Sequence, residues 1–359
     1  MNTAFTRLLQ INLPLIQAPM AGVSTPEMAA QVSNHGGLGS IAIGASTLEQ
    51  AEQMIAKTRT LTSKPFNVNV FCHAPAQADP ERQAAWMQHL APYFTEFGIA
   101  PRTDLKEIYT SFLASPDMLT LLLDTRPAIV SFHFGLPPAS TIDQLKAAGI
   151  RLIATATNLT EARAIEAAGL DAIVAQGFEA GGHRGIFDPE HDDAIGTFAL
   201  IQILRAQTRL PIIASGGIMD GRGIAAALML GASAAQLGTA YVPTTESIAS
   251  AGYQALLLSP RAELTRITRA ISGRDARGMV NRIISEVGQA APAIVPDYPI
   301  TYDAGKQLHA AALTQGSQEF GALWAGQAAS LARAMDAAQL TQTLAAELKE
   351  ALQSFSSRE

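Results

Sequence analysis

Cysteine is nearly missing from this chain, Cys72 being the only one. A lone thiol excludes an intramolecular disulfide and a cysteine-built metal cage. Charge is scarce as well: Asp, Glu, Lys and Arg supply 16% of the residues, against about a quarter in ordinary soluble proteins. With 48% hydrophobic residues, that balance predicts a large packed α/β body. The formal net charge of −6 provides no basic field for nucleic acid. No apolar run reaches the ~18 residues of a bilayer-spanning helix. The opening residues, M-N-T-A-F-T-R-L-L-Q, lack a signal peptide's long apolar centre and small-residue cleavage site. A soluble cytoplasmic protein is expected. Histidines at 35, 73, 89, 133, 183, 191 and 309 show no tight ligand spacing, so no metal is expected.

What is present is a repeated alternation. Apolar runs near residues 14, 38, 66, 128, 151, 172, 211 and 234 read as eight strands. Helical stretches lie between most of them. Thr25-Pro26 is an N-cap followed by a proline at the first helical position, and a second helix spans about Thr47–Thr60. Gly149, Gly169 and Gly231 stand where the helices Ile142–Ala148, Leu159–Ala168 and Gly221–Leu230 need a left-handed C′ residue. Eight strand–helix units predict a (β/α)8 barrel, the TIM-barrel class of α/β proteins. The rival, an open doubly wound sheet, lacks its G-x-G-x-x-G after the first strand.

Residues 73–127 interrupt the rhythm, with helical patterns at Glu81–Phe97 and Asp104–Ala114 punctuated by prolines. The expected division is a barrel over 1–72 and 128–242, a mainly helical cap over 73–127 and 243–320, and a C-terminal helical tail over 321–359. Gly321–Glu350 reads as the helix of that tail.

In a barrel the loops after the strands build the site. The residues at those ends are Ala18, Pro19, Met20, Asn69, His133, Gln176, Gly181, Gly182 and His183, then Ser215, Gly216, Gly217, Gln236, Leu237, Gly238 and Thr239. Glycines after the seventh and eighth strands, in Ser215-Gly216-Gly217 and Gln236-Leu237-Gly238-Thr239, suit a phosphate held by backbone N–H groups. A flexible loop alone also explains a glycine pair. Two pairs in these consecutive loops favour a phosphate-bearing cofactor.

These same segments resemble a known family. Gln17-Ala18-Pro19-Met20-Ala21-Gly22, Asn67–Asn69, Gln176-Gly177 through His183, Ala214–Ile218, Gln236–Thr239 and Ser272-Gly273-Arg274 look like the FMN-dependent nitronate monooxygenases, formerly 2-nitropropane dioxygenases. The resemblance implies FMN over the barrel mouth. Asn69, Gln176 and Gly181 would contact its ring, and Gly217 with Gln236–Thr239 would hold its phosphate. His133 and the run Tyr298–Lys306 resemble class I of that family, which implies a substrate pocket formed by His133, Tyr298, Tyr302 and Lys306, joined by Tyr109. His183 is the implied catalytic residue, either a base or a hydrogen-bond donor. The implied reaction is one-electron transfer from a nitronate, such as propionate 3-nitronate, to the flavin. Reaction with O2 and loss of nitrite then give a carbonyl compound. Flavin-type enoyl-acyl-carrier-protein reductases and quinone reductases share several of these motifs, so an FMN enzyme fed by NAD(P)H is the alternative. A barrel that binds a phosphorylated metabolite without redox chemistry is a further one.

Overall fold

The computed structural model describes residues 1–356. Eight parallel strands run β1 Leu15–Gln17, β2 Gly39–Ala42, β3 Phe66–Phe71, β4 Ile129–His133, β5 Arg151–Ala156, β6 Ala172–Gln176, β7 Ile212–Ser215 and β8 Ala234–Leu237. Each pairs with its neighbour in sequence, and β8 pairs with β1. Backbone bonds Leu38 N to Leu15 O and Gln17 N to Leu38 O join β1 to the start of β2 and close the ring. The strands are buried on both faces, which is why they read as continuous apolar runs rather than alternating ones. The fold is a TIM barrel.

The helices are α1 Ala4–Leu9, α2 Pro26–Asn34, α3 Leu48–Leu61, α4 Pro80–Glu96, α5 Pro116–Thr125, α6 Ala139–Ala147, α7 Leu159–Ala167, α8 Thr197–Gln207, α9 Gly221–Met229, α10 Ala251–Leu257, α11 Arg282–Ser285, α12 Ile300–Leu313 and α13 Ala337–Ser356. Thr25 caps α2 through Met28 N, with Pro26 first in the helix. Thr47 and Gln50 form a capping box on α3. Gly149, Gly169 and Gly231 have φ of 82°, 72° and 106°, the left-handed backbone that ends a helix without a Cβ penalty. The short helix α1 closes the lower end of the barrel: Phe5 and Leu9 pack on Ile16, Leu38 and Ile129 inside it.

Two segments leave the ring, each between a strand and the helix that belongs to it. The first runs from β3 to α5. Its expected helix over Asp104–Ala114 does not form; residues 104–111 are irregular and a single 3-10 turn covers Phe112–Ala114. The helix starts instead at Pro116, where a residue lacking an N–H costs nothing, and α5 packs in the ring beside α3 and α6. The second excursion runs from β8 to α13. Here the expected helix over Gly321–Glu350 also fails in its first half. Residues 321–336 are loop with a 3-10 turn at Ala329–Leu331, and α13 begins at Ala337. Gly321, Gly326 and the absence of apolar periodicity account for the loop. Helix α13 packs on α9 and α2, in the place of the ring's eighth helix, and buries Leu340, Leu344 and Leu348 there.

The two excursions pack on each other. Trp86, Leu90, Phe94 and Leu105 of the first join Ile271, Ile283, Leu308 and Phe320 of the second in one apolar cluster. Ion pairs Arg82–Asp297 at 2.8 Å and Arg102–Asp303 at 2.9 Å stitch their edges.

Candidate active site

Where the strand ends meet the excursions lies a cavity of about 590 Å³. Every candidate cofactor, substrate or catalytic residue named from the sequence lines it except Leu237. The two-residue period of a strand explains the exception: Gln236 and Gly238 reach the cavity, whereas the Leu237 side chain points into the apolar layer beneath α9 and α13. Leu237 offers the site only its backbone, and its carbonyl accepts from Ala18 N.

One end of the cavity is built of backbone. Gly216 and Gly217 have φ of 116° and 71°, so they turn the chain where an L side chain is strained. Among the described residues, the N–H groups of Gly217, Ile218, Gly238 and Thr239 donate to no protein acceptor. Such orphaned donors, clustered at one wall, suit an anion with several oxygens. A Cβ on Gly181 would lie 2.5 Å from Gly326 N; the loop after β6 is therefore pressed against the segment at 326, whose amide donates to Thr239 Oγ1. The nearby acid, Glu179, is consumed elsewhere: its carboxylate accepts from Thr197 N and Oγ1 at the start of α8.

His183 occupies the centre. The sequence places it on a glycine loop; in the fold Gly182–His183 is a short strand, antiparallel to Ala276–Met279. Its carbonyl accepts from Gln176 Nε2 at 3.0 Å and faces His133 Nε2 at 3.3 Å. The ring is surrounded by Phe134, Tyr298, Tyr302 and Trp324, with centroids 5.3–6.2 Å away. Burial, with His133 and Arg274 beside it, pushes its pKa down to about 3. His183 is thus neutral at physiological pH, able to donate from one nitrogen and accept at the other.

His133 lines the cavity but spends both nitrogens inside the protein. A carbonyl can only accept, so Nε2 carries the proton toward His183 O; Nδ1 then accepts from Thr155 Oγ1 at 3.0 Å. Burial holds its pKa down at about 4. Gln176 is likewise committed: Oε1 accepts from Gly185 N at 2.8 Å and Arg184 Nη1 at 3.2 Å, while Nε2 holds His183 O. Arg184 is fully buried and paired with Asp192 at 2.7 Å. Its other contacts, the carbonyls of Gln176 and Gly177, lock the end of β6.

The opposite wall comes from the excursions. Lys306 of α12 lines the cavity with part of its side chain exposed to solvent, Nζ lying 4.8 Å from the Tyr109 ring centroid and 5.7 Å from that of Tyr302. Burial lowers its pKa below the ordinary lysine value, a direction expected of a cation short of partners. Burial raises Tyr109 to about 12 and pushes Tyr298 and Tyr302 upward also. All three stay protonated donors.

Several participants were not among the candidate site residues of the sequence. Trp324 and Tyr253 line the cavity from segments without a motif. His73, behind Tyr298 at a centroid distance of 4.9 Å, is buried with neither nitrogen bonded among the described residues; burial and then Arg274 hold its pKa near 4. Arg274 lies with Cζ 4.4 Å over the Phe134 ring, lowered to about 10 by burial and still cationic at neutral pH. Only the folded proximity of β4, the 272–274 turn and the 296–298 segment brings these groups together.

Among the described residues no group of histidines, cysteines and carboxylates could hold a metal, and no helix is long and apolar enough to cross a membrane. The chain is similar to proteins whose function is recorded. It is 56% identical over 352 residues to a nitronate monooxygenase of Pseudomonas aeruginosa, covering 97% of this chain and all of that one. Its fold superposes on the nitroalkane oxidase of Streptomyces ansochromogenes with a TM-score of 0.90 at 40% identity, over 98% of this chain and 100% of the other. The FabK protein of Thermotoga maritima is more distant, with a TM-score of 0.75 and 28% identity across both whole chains. The family profile described as nitronate monooxygenase matches residues 2–347. A match of that extent spans the barrel and both excursions, and the chain belongs to the nitronate monooxygenase family of oxidoreductases.

Proposed function

We propose that this protein binds FMN without a covalent link and oxidises small anionic alkyl nitronates with O2, releasing nitrite and a carbonyl compound. The observation that carries this reading is the polarity of one cavity: backbone N–H groups at Gly217, Ile218, Gly238 and Thr239, unbonded among the described residues, at one end, and the Lys306 ammonium among tyrosines at the other. The first wall fits a phosphate. The second fits a small anion. Gly181 and Asn69 line the same cavity and would stand against the ring.

FMN, when bound, supplies the electron acceptor. The chain supplies the rest. Lys306 and the hydroxyls of Tyr109, Tyr298 and Tyr302 offer charge and donors to a nitronate, whose charge-assisted bonds are the strong kind. His183, neutral and ringed by aromatics, presents a polar atom at the centre of an otherwise apolar wall. A pKa near 3 makes it a weak base, so the arrangement favours an already deprotonated substrate over a neutral nitroalkane. An acidic side chain on the substrate, as in propionate 3-nitronate, adds a second attraction to Lys306.

Two measurements test the reading together. Acid or heat precipitation should release a yellow supernatant whose mass is that of FMN. Nitrite release and oxygen uptake should follow propionate 3-nitronate alone, with no nicotinamide added. Rapid flavin reduction by NADH or NADPH without any response to nitronates would move the protein to the reductases, the direction in which the FabK likeness points. A colourless protein that stays so with added FMN ends the flavin reading.

A further inference from the structure

The cage around His183 leaves its tautomer to one neighbour. Four aromatic rings enclose the imidazole. Among the described residues its one polar partner is Ser272, whose Oγ lies 2.9 Å from Nε2. Nδ1 makes no bond there and is not among the fully buried orphaned atoms. The main chain of His183 is immobilised on three sides, through Gln176, His133 and the pairing with Ala276. What remains undetermined by that anchoring is rotation of the ring about its own bonds and the choice of protonated nitrogen.

Ser272 is itself held. It is fully buried, and Arg274 N donates to its Oγ at 3.3 Å. Gly273, at φ 94°, donates to Arg269 O. A Cβ there would stand 2.6 Å from both Pro296 O and Tyr298 N, so the turn is pressed onto the backbone that carries Tyr298. The hydroxyl donates to Arg274 O, 3.2 Å away, which leaves its oxygen to accept from His183 Nε2–H. A hydroxyl rotor fixed this way imposes one tautomer on an otherwise unpartnered ring.

We propose that Ser272 is a positioning residue for His183: its hydroxyl bond to Nε2 fixes the ring and a single neutral tautomer, and so directs Nδ1 at the substrate. The assignment of Nδ1 to a substrate rests on the nitronate reading above; the bond and the tautomer do not. Ser272 does not line the cavity and acts through the imidazole.

The experiment uses full-length protein labelled with ring-15N histidine. The His183 signals, identified by their loss in His183→Asn, should show two well-separated nitrogen shifts of one neutral tautomer. In Ser272→Ala these two shifts should move together toward the average of both tautomers, while Ser272→Thr, which keeps the hydroxyl, should retain the wild-type pattern. Ser272→Cys, close in size but a weak hydrogen-bonding partner, should follow Ala and serves if the Ala variant does not fold. Kinetically, Ser272→Ala should lower kcat on propionate 3-nitronate about tenfold, the scale of one lost hydrogen bond, with KM little changed. The double variant His183→Asn/Ser272→Ala should be no slower than His183→Asn alone, because residues acting as a unit are not additive. Unchanged His183 shifts in both Ser272→Ala and Ser272→Cys overturn the proposal, as do additive losses in the double variant. Absence of nitronate turnover in the wild type would instead strike the proposed function, and the spectra would still decide the role of Ser272.

Discussion

His183, His133 and His73 are neutral in the fold because burial removes water from the charged form, with Arg274 adding repulsion. Their native pKa values of about 3 to 4 lie below the ordinary histidine value of 6.5. The unfolded chain therefore binds protons that the native state does not as pH falls below about 6.5, and stability falls with it. Each such histidine removes at most roughly 1.4 kcal/mol per pH unit in that window. Urea midpoints should drop steadily between pH 7 and 5, and His73→Phe should flatten the slope; a midpoint constant over that range would contradict the burial of these rings. The same neutrality predicts that kcat/KM with a preformed nitronate stays level from pH 5.5 to 8, with no histidine limb. A decline at higher pH should set in below the ordinary lysine pKa, since burial lowers that of Lys306. Lys306→Met should abolish that decline and raise KM by about 10- to 100-fold, the scale of a lost charged hydrogen bond. Replacing His183 by Asn should leave FMN bound, because the orphaned amides belong to other strands, and should slow nitronate turnover. An unaltered rate would make the ring a spectator.

At the scale of elements, close backbone contact is the recurring device. Gly221 opens α9 where α13 crosses it, and a Cβ there would meet Leu348 N at 2.2 Å. Its amide donates to Glu347 of α13 at 2.9 Å, and Glu347 is held in turn by Arg333. Gly221→Ala should force the helices apart and lower stability by about 1–3 kcal/mol, the usual cost of overpacking, with the melting temperature as the readout. An equal or raised melting temperature would show that this crossing has slack. The motif Gly-Gly-His was visible in the sequence, but its strand was not, because two residues carry no periodicity. Only their partner at Ala276–Arg277, nearly a hundred positions on, makes a strand of them.

For the molecule as a whole, the decisive fact is that the ring's eighth helix is the last one. Leu340, Leu344 and Leu348 are buried against α9 and α2, and burying such side chains contributes about 1.5–3 kcal/mol each. That sum is comparable to the whole stability of an ordinary domain, about 5–15 kcal/mol. Deletion of residues 337–359 should therefore yield insoluble or unfolded protein by circular dichroism, not a soluble enzyme with altered kinetics. A soluble, folded truncation would mean that α13 is an accessory to the ring.

The sequence alone was enough for eight strands, their order and the glycines that end them, because these depend on local rules: apolar runs of strand length, helix caps and left-handed turns. Thr25 and Pro26 announce α2 wherever the chain goes. The candidate residues at the strand ends followed from the barrel, and the strand's alternation turns the Leu237 side chain away from the cavity. Tertiary structure decided what local rules cannot. It put α5 and α13 into the ring rather than over it, since their apolar faces find partners only in distant helices. It also left 104–111 and 321–336 without a helix and set Ser272, Arg274 and Trp324 around His183. Those contacts join residues about 90 to 140 positions apart, and nothing in the neighbourhood of either partner encodes the distance between them.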